Sequence, residues 1–122
     1  MRIHFIQKLI DKIRNKKIIN SDIESAYFRT KKLCQKRLEI ENLYLGLSYG
    51  LYGINPKFLT TPSFNYCFPS MDLYTSYKTY LYINDFLPNL KNIFISCAFY
   101  SPGWNLNKAT NAELQLKTYE FF

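Results

Sequence analysis

The sequence predicts an α/β fold: a short parallel sheet flanked by helices and preceded by two amino-terminal helices. Three observations predict it. Apolar runs of strand length, near 42–47, 63–68 and 92–98, alternate with stretches of helical periodicity. The turn chemistry between them is rich in Gly, Pro, Asn and Ser. Hydrophobic residues make up 48% and charged residues 20% of the 122 residues, enough for one domain with a modest core.

Residues 3–17 carry Ile6, Leu9, Ile10 and Ile13 at helical spacing, with Lys8, Lys12 and Arg14 off the stripe. A break follows at Ile18-Ile19-Asn20. Ser21-Asp22-Ile23-Glu24 then reads as a capping box that starts a second helix running to about Leu38. Ile23, Tyr27, Cys34 and Leu38 form its expected inner face, and Arg29, Lys31, Lys32, Lys36 and Arg37 decorate the rest.

The first strand is expected at about 42–47, and it stops at Ser48 among Gly46, Gly50 and Gly53. Gly46 and Gly50 leave room for a tight turn and for the close approach of a substrate. Pro56 and Pro62 keep residues 55–62 out of a long helix. Ser63 to Phe68 is a second short strand. Ser70 or Asp72 caps a third helix, from about Leu73 to Phe86, with Leu73, Tyr77, Tyr80 and Leu81 inward. Asn92 to Ala98 is the most apolar run of the second half and reads as a central parallel strand. Ser101-Pro102-Gly103 is a turn, and 107–120 a final helix. Three strands make a thin sheet with two edges to hide. The chain therefore reads as a fragment: a basic helical segment over 1–40 and an incomplete α/β domain over 41–122.

The net charge of +7 is confined to the first part: residues 1–40 hold eleven Lys+Arg against four Asp+Glu, and residues 41–122 hold five of each. Such a segment suits a solvated helix face, a partner, or a peripheral contact with an anionic membrane. Nucleic acid is disfavoured, because no recognised motif is present and the aromatic residues are not interleaved with the charge. Cys34, Cys67 and Cys97 are odd in number and lack metal-ligand spacing. Cys67 and Cys97 lie in apolar runs, as buried thiols would, which points to a reducing, cytoplasmic setting. No run is long enough for a membrane span, and no signal peptide is apparent. No metal or cofactor is expected.

Gly46-Leu47-Ser48-Tyr49-Gly50 matches the G-x-S-x-G pattern that presents a nucleophilic serine after a strand. The α/β-hydrolase fold places several strands before its serine and a long helix after it. Here only helices precede Ser48, and Gly53 and Pro56 follow it. The block from Asn42 to Ile54 instead resembles the first block of the SGNH, or GDSL-like, hydrolases. Gly46-Leu47-Ser48 stands where Gly-Asp-Ser usually stands. The block Phe64 to Leu73 looks like the second, and Ile93 to Ser101 resembles the approach to the third. The likeness is to the divergent members found with bacterial surface-polysaccharide genes, and it covers roughly residues 41–101.

That resemblance implies a flavodoxin-like, SGNH-type sheet and a serine esterase or acyltransferase acting on an acylated sugar or polysaccharide. Ser48 would be the nucleophile, with Tyr49, Asn65 and Ser70 on the oxyanion side, and Asp72, Tyr100 and Trp104 as substrate contacts. Each also has a structural reading: Ser48 and Asn65 as turn residues, Asp72 as a helix cap, Trp104 as packing for its own turn. The chain departs from the family at Leu47, at Pro69-Ser70 where glycine is usual, and at Tyr100 near the place of the third-block asparagine. It has no D-x-x-H motif, and its one histidine is His4. The chain alone is thus expected to be nearly inactive. A degenerate domain that binds glycans or a partner is the first alternative, and a basic nucleic-acid-binding module the second.

Overall fold

The computed structural model describes residues 21–105 and Lys108. The expected helix over 3–17, His4, and the expected helix over 107–120 apart from Lys108 lie outside the described residues. The described elements run α1 (Ser21–Lys36), β1 (Asn42–Gly46), α2 (Ser48–Gly53), β2 (Ser63–Asn65), α3 (Leu73–Ile83) and β3 (Asn92–Ser96). Single 3-10 turns stand at Pro56–Phe58, Asn84–Phe86 and Ser101–Gly103. The three strands are parallel, in the order β2-β1-β3.

Leu43 pairs with Phe64 on one side and Ile93 on the other, and Tyr44 pairs with Asn65 and Phe94. Because side chains alternate along a strand, this register sorts the sheet into two faces. Leu43, Leu45, Phe64 and Tyr66 join Ala26 and Leu33 of α1, Ile83 of α3, and Phe86 and Leu87 in one buried core, with Ile93 packed against it. The opposite face carries Tyr44, stacked on Phe94 with ring centroids 4.8 Å apart, and Asn65. At the amino ends of the strands, Asn92 donates to Asn42 over 3.0 Å and Asn42 to Ser63 over 3.4 Å, a side-chain ladder that crosses all three strands.

Four expectations are corrected. The strand at Asn92–Ser96 is an edge strand, and β1 is central. Its apolar run signals neither a central place nor full burial: Phe94 and Ile95 are exposed and Ile93 is half-buried. The inner face of α3 is Ser76, Thr79 and Ile83, while Leu73, Tyr77 and Leu81 are exposed. Small hydroxyl residues let the helix sit close to the sheet. They return their O–H groups to the preceding turn: Ser76 to the Asp72 carbonyl at 2.9 Å and Thr79 to Thr75 at 2.8 Å. The buried stripe of α1 is Ala26, Thr30 and Leu33, with Tyr27 and Cys34 partly covered and Leu38 beyond the helix and exposed. Cys97 is exposed, because the chain leaves the sheet immediately after β3. Cys67, by contrast, is buried as expected.

Arg29 does more than decorate α1. The N–H groups of Tyr66 and Phe68 donate to Tyr44 and Gly46 of β1, so the carbonyls of Asn65 and Cys67 point to the outer side of β2. The Arg29 guanidinium donates to both of those carbonyls and lies over the Phe68 ring at 5.0 Å. One side chain thereby caps the outer edge of β2.

Candidate functional site at the carboxyl edge of the sheet

β1 ends in a turn that its sequence dictates. Gly46 has φ +117°, a conformation that side-chain-bearing residues rarely adopt. Leu47 is extended and buried, and its N–H donates to the Ser96 carbonyl at 3.2 Å. Ser48 then opens α2, a six-residue helix where a turn and loop were expected. The room at Gly46 and Gly50 is taken by β3 and Cys67 and not by a substrate. A Cβ on Gly46 would lie 2.1 Å from the Ser96 carbonyl oxygen, and one on Gly50 would lie 2.6 Å from Ser96 Cβ and 2.7 Å from Cys67 Sγ. Ser48 itself is half-buried, and among the described residues its hydroxyl has no hydrogen-bond partner.

Asn65, the last residue of β2, holds α2 in place. Its Nδ2 donates to the Gly50 and Ile54 carbonyls, both at 2.8 Å, and its Oδ1 accepts from the Cys67 N–H at 3.1 Å. The side-chain amide is therefore spent on closing the carboxyl end of α2. Ser70 has φ +59°, the left-handed region that glycine adopts most freely. Asp72 is buried and caps α3, its Oδ1 accepting from the Thr75 N–H at 2.7 Å.

The turn after β3 closes on both of its neighbours. Tyr49 stands beside Tyr100, and partial desolvation, then the neighbouring Tyr49 phenol, raises the Tyr100 phenol above its ordinary value. Tyr100 meets Trp104 edge-on with centroids 6.4 Å apart, and Trp104 Nε1–H donates to the Ser70 carbonyl at 3.1 Å. Tyr100, Trp104 and Ser70 are thus connected, with Tyr49 beside Tyr100, at the carboxyl end of the sheet, where open α/β sheets place their ligands. Phe99 extends this row, 96% exposed and edge-on to Tyr100 at 5.3 Å. Ser48 belongs to the same edge through its neighbour Tyr49. Asn65 and Asp72 are committed to helix ends beneath it.

Two participants went unseen in the sequence. Cys67 lies against Gly50, and burial pushes its thiol up to about 12, with Arg29 opposing. Ser96 supplies the carbonyl that receives Leu47. Their only signal was position, at or just past a strand's carboxyl end. Among the described residues no cluster of His, Cys, Asp and Glu is arranged to hold a metal, and no helix is long and apolar enough to cross a membrane. No family model, curated protein or solved structure matches the chain.

Proposed function

We propose that the chain is a sugar-binding α/β domain of SGNH-like descent, which takes an acylated saccharide on the aromatic row at the carboxyl edge of its sheet. The observation that carries the reading is the row of ring contacts from Phe99 through Tyr100 to Trp104, with Tyr49 beside Tyr100, Tyr49 63% exposed and Phe99 96% exposed. Aromatic faces left open at a ligand-binding edge offer flat apolar surface to the C–H faces of sugar rings. The phenol oxygens offer hydrogen bonds to ring hydroxyls.

Trp104 is the only tryptophan of the chain, so its fluorescence reports on this edge alone. The test is a titration with acetylated and chemically deacetylated oligosaccharides, followed by tryptophan emission and by calorimetry. A saturable change, lost in Phe99→Ala and Tyr100→Ala, is expected. The absence of heat and of any emission change with every sugar would remove the reading.

A second reading keeps acyl transfer, and the Ser48 hydroxyl at its strand-to-helix turn, without a hydrogen-bond partner among the described residues, favours it. In that reading Ser48 Oγ attacks the ester carbonyl, a base takes its proton, and backbone N–H groups near Ser48 and Ser70 receive the oxyanion. The described residues hold no histidine to act as that base. Labelling of Ser48 by a fluorophosphonate, lost in Ser48→Ala, would establish this reading. Unlabelled protein that still binds the saccharide leaves the binding domain alone standing.

A further inference from the structure

The two edges of the sheet are treated in opposite ways. On β2 the outward carbonyls of Asn65 and Cys67 are taken by Arg29, and the outward Cys67 N–H by Asn65 Oδ1. Among the described residues, nothing comparable is present on β3. The N–H of Asn92 and the carbonyl of Ser96 face Glu41 and Leu47 at β1, so the N–H and C=O groups of Ile93 and Ile95 point outward. Among the described residues β3 pairs only with β1. Natural edge strands are guarded by charge, proline or a bulge. Asn-Ile-Phe-Ile-Ser has none of these. The lysine at its start, Lys91, is tied to Glu41 at 2.7 Å. Phe94 is 45% and Ile95 43% exposed.

Beside this edge runs an apolar groove of about 330 Å³, between α3 and β3, lined by Leu73, Ser76, Tyr77, Tyr80, Ile93 and Ile95. None of the six is charged. Residues 41–122, to which β3 and α3 belong, hold five Lys+Arg and five Asp+Glu, so a second copy can approach this uncharged patch without net repulsion from that part of the chain. The strand is also close to self-complementary. In an antiparallel pairing about a two-fold axis at Phe94, Asn92 faces Ser96 of the second copy and Ile93 faces its Ile95. The outward groups of Ile93 and Ile95 would then exchange both hydrogen bonds with the other strand.

We propose that β3 is the dimer interface of this protein: two copies pair β3 to β3, antiparallel, into one six-stranded sheet. Its floor is then Ile93 and Ile95 of both copies, and the two α3 helices wall the joined grooves. The carboxyl edge with Tyr49 and Tyr100 stays free on each copy, so this assembly stands apart from the saccharide reading.

The test is sedimentation velocity on the full chain, dilute and at about 100 µM. A dimer that populates with concentration is expected, and Ile95→Lys should be monomeric with an unchanged far-UV circular dichroism spectrum. Mixing Ile95→Lys with Ile93→Glu should restore dimers, because this register sets Lys against Glu. In a Cys34→Ser, Cys97→Ser background, Phe94→Cys should form an interchain disulfide on oxidation, since Phe94 and its symmetry mate are a close, non-hydrogen-bonded pair. A wild type that stays monomeric overturns the proposal, whether a different partner or another segment of this chain covers the edge. Dimers that persist unchanged in Ile95→Lys overturn it too. Dimers without the Phe94→Cys cross-link and without rescue on mixing overturn the pairing.

Discussion

Gly46 and Ser96 approach so closely that a Cβ on Gly46 would stand 2.1 Å from the Ser96 carbonyl oxygen. The contact is backbone on the Ser96 side, so no side-chain rotation can relieve it. Gly46 also holds φ +117°. Gly46→Ala therefore adds conformational strain to an overpacked contact, and should cost about 3 kcal/mol or more. Gly53 has nothing within 4 Å of a built Cβ, and Gly53→Ala should stay within about 0.5 kcal/mol of wild type. Thermal melts of the two variants decide it. Equal melting temperatures would mean that the β1 turn tolerates a side chain.

Ser70 is the one non-glycine residue of positive φ among the described residues, at +59°. A serine there pays for left-handed backbone that glycine adopts freely, and its carbonyl is held in place by the Trp104 indole at 3.1 Å. Ser70→Gly should stabilise the fold by about 0.5–1 kcal/mol, since relief of strain outweighs the added entropy of the unfolded chain. A lowered urea midpoint would show that the Ser70 side chain contributes more than its strain removes.

Much of this edge was legible in the residues. Alternating apolar runs and turn signals placed β1, β2 and β3, and Ser70 or Asp72 announced the start of α3, of which Asp72 is the cap. What could not be read is what depends on contacts far along the chain. Two glycines in six residues argue against a helix at Ser48–Gly53. That helix exists because Gly50 fits against Ser96 and Cys67, and because Asn65 gathers its last carbonyls. The inner face of α3 departs from its apolar residues for a related reason. Leucine and tyrosine look like core, yet the surface facing the sheet is close enough to favour Ser76 and Thr79. The convergence of Tyr49 with Tyr100 follows from the pairing of β1 with β3, which a sequence does not display.

Asn65 ties β2 to α2, and its removal should be felt at Ser48 more than in the core. Asn65→Ala leaves the part-buried Ile54 carbonyl and the buried Cys67 N–H without their partner, and leaves the Gly50 carbonyl only the Ile54 N–H. The expected loss is about 2–3 kcal/mol. Hydrogen exchange should quicken first at the α2 amides of Leu51 and Ile54, which bond to Leu47 and Gly50. Uniform acceleration through β1 and α3 would mean instead that Asn65 supports the whole sheet.

Cys67 gives the fold an alkaline weakness with a defined sign. Desolvation is the larger cause, and the thiol is pushed from 9.0 up to about 12, with Arg29 opposing. Below the unfolded value both states keep the proton, and stability does not depend on this group. Above it the unfolded thiol ionises while the folded one does not, so the unfolded state binds fewer protons and stability falls as pH rises. The loss approaches about 1.4 kcal/mol per pH unit and ends once the folded thiol also titrates. Cys34, raised mainly by burial, and Tyr66, raised by burial against its bond to Thr30, act in the same direction. Comparison with Cys67→Ala isolates the one thiol. Between about pH 8 and pH 10 the urea midpoint of wild type should fall more steeply than that of the variant, the gap opening only above about pH 9. Parallel curves would mean that Cys67 titrates alike in both states, and that the packing of Gly50 against its sulfur does not exclude water.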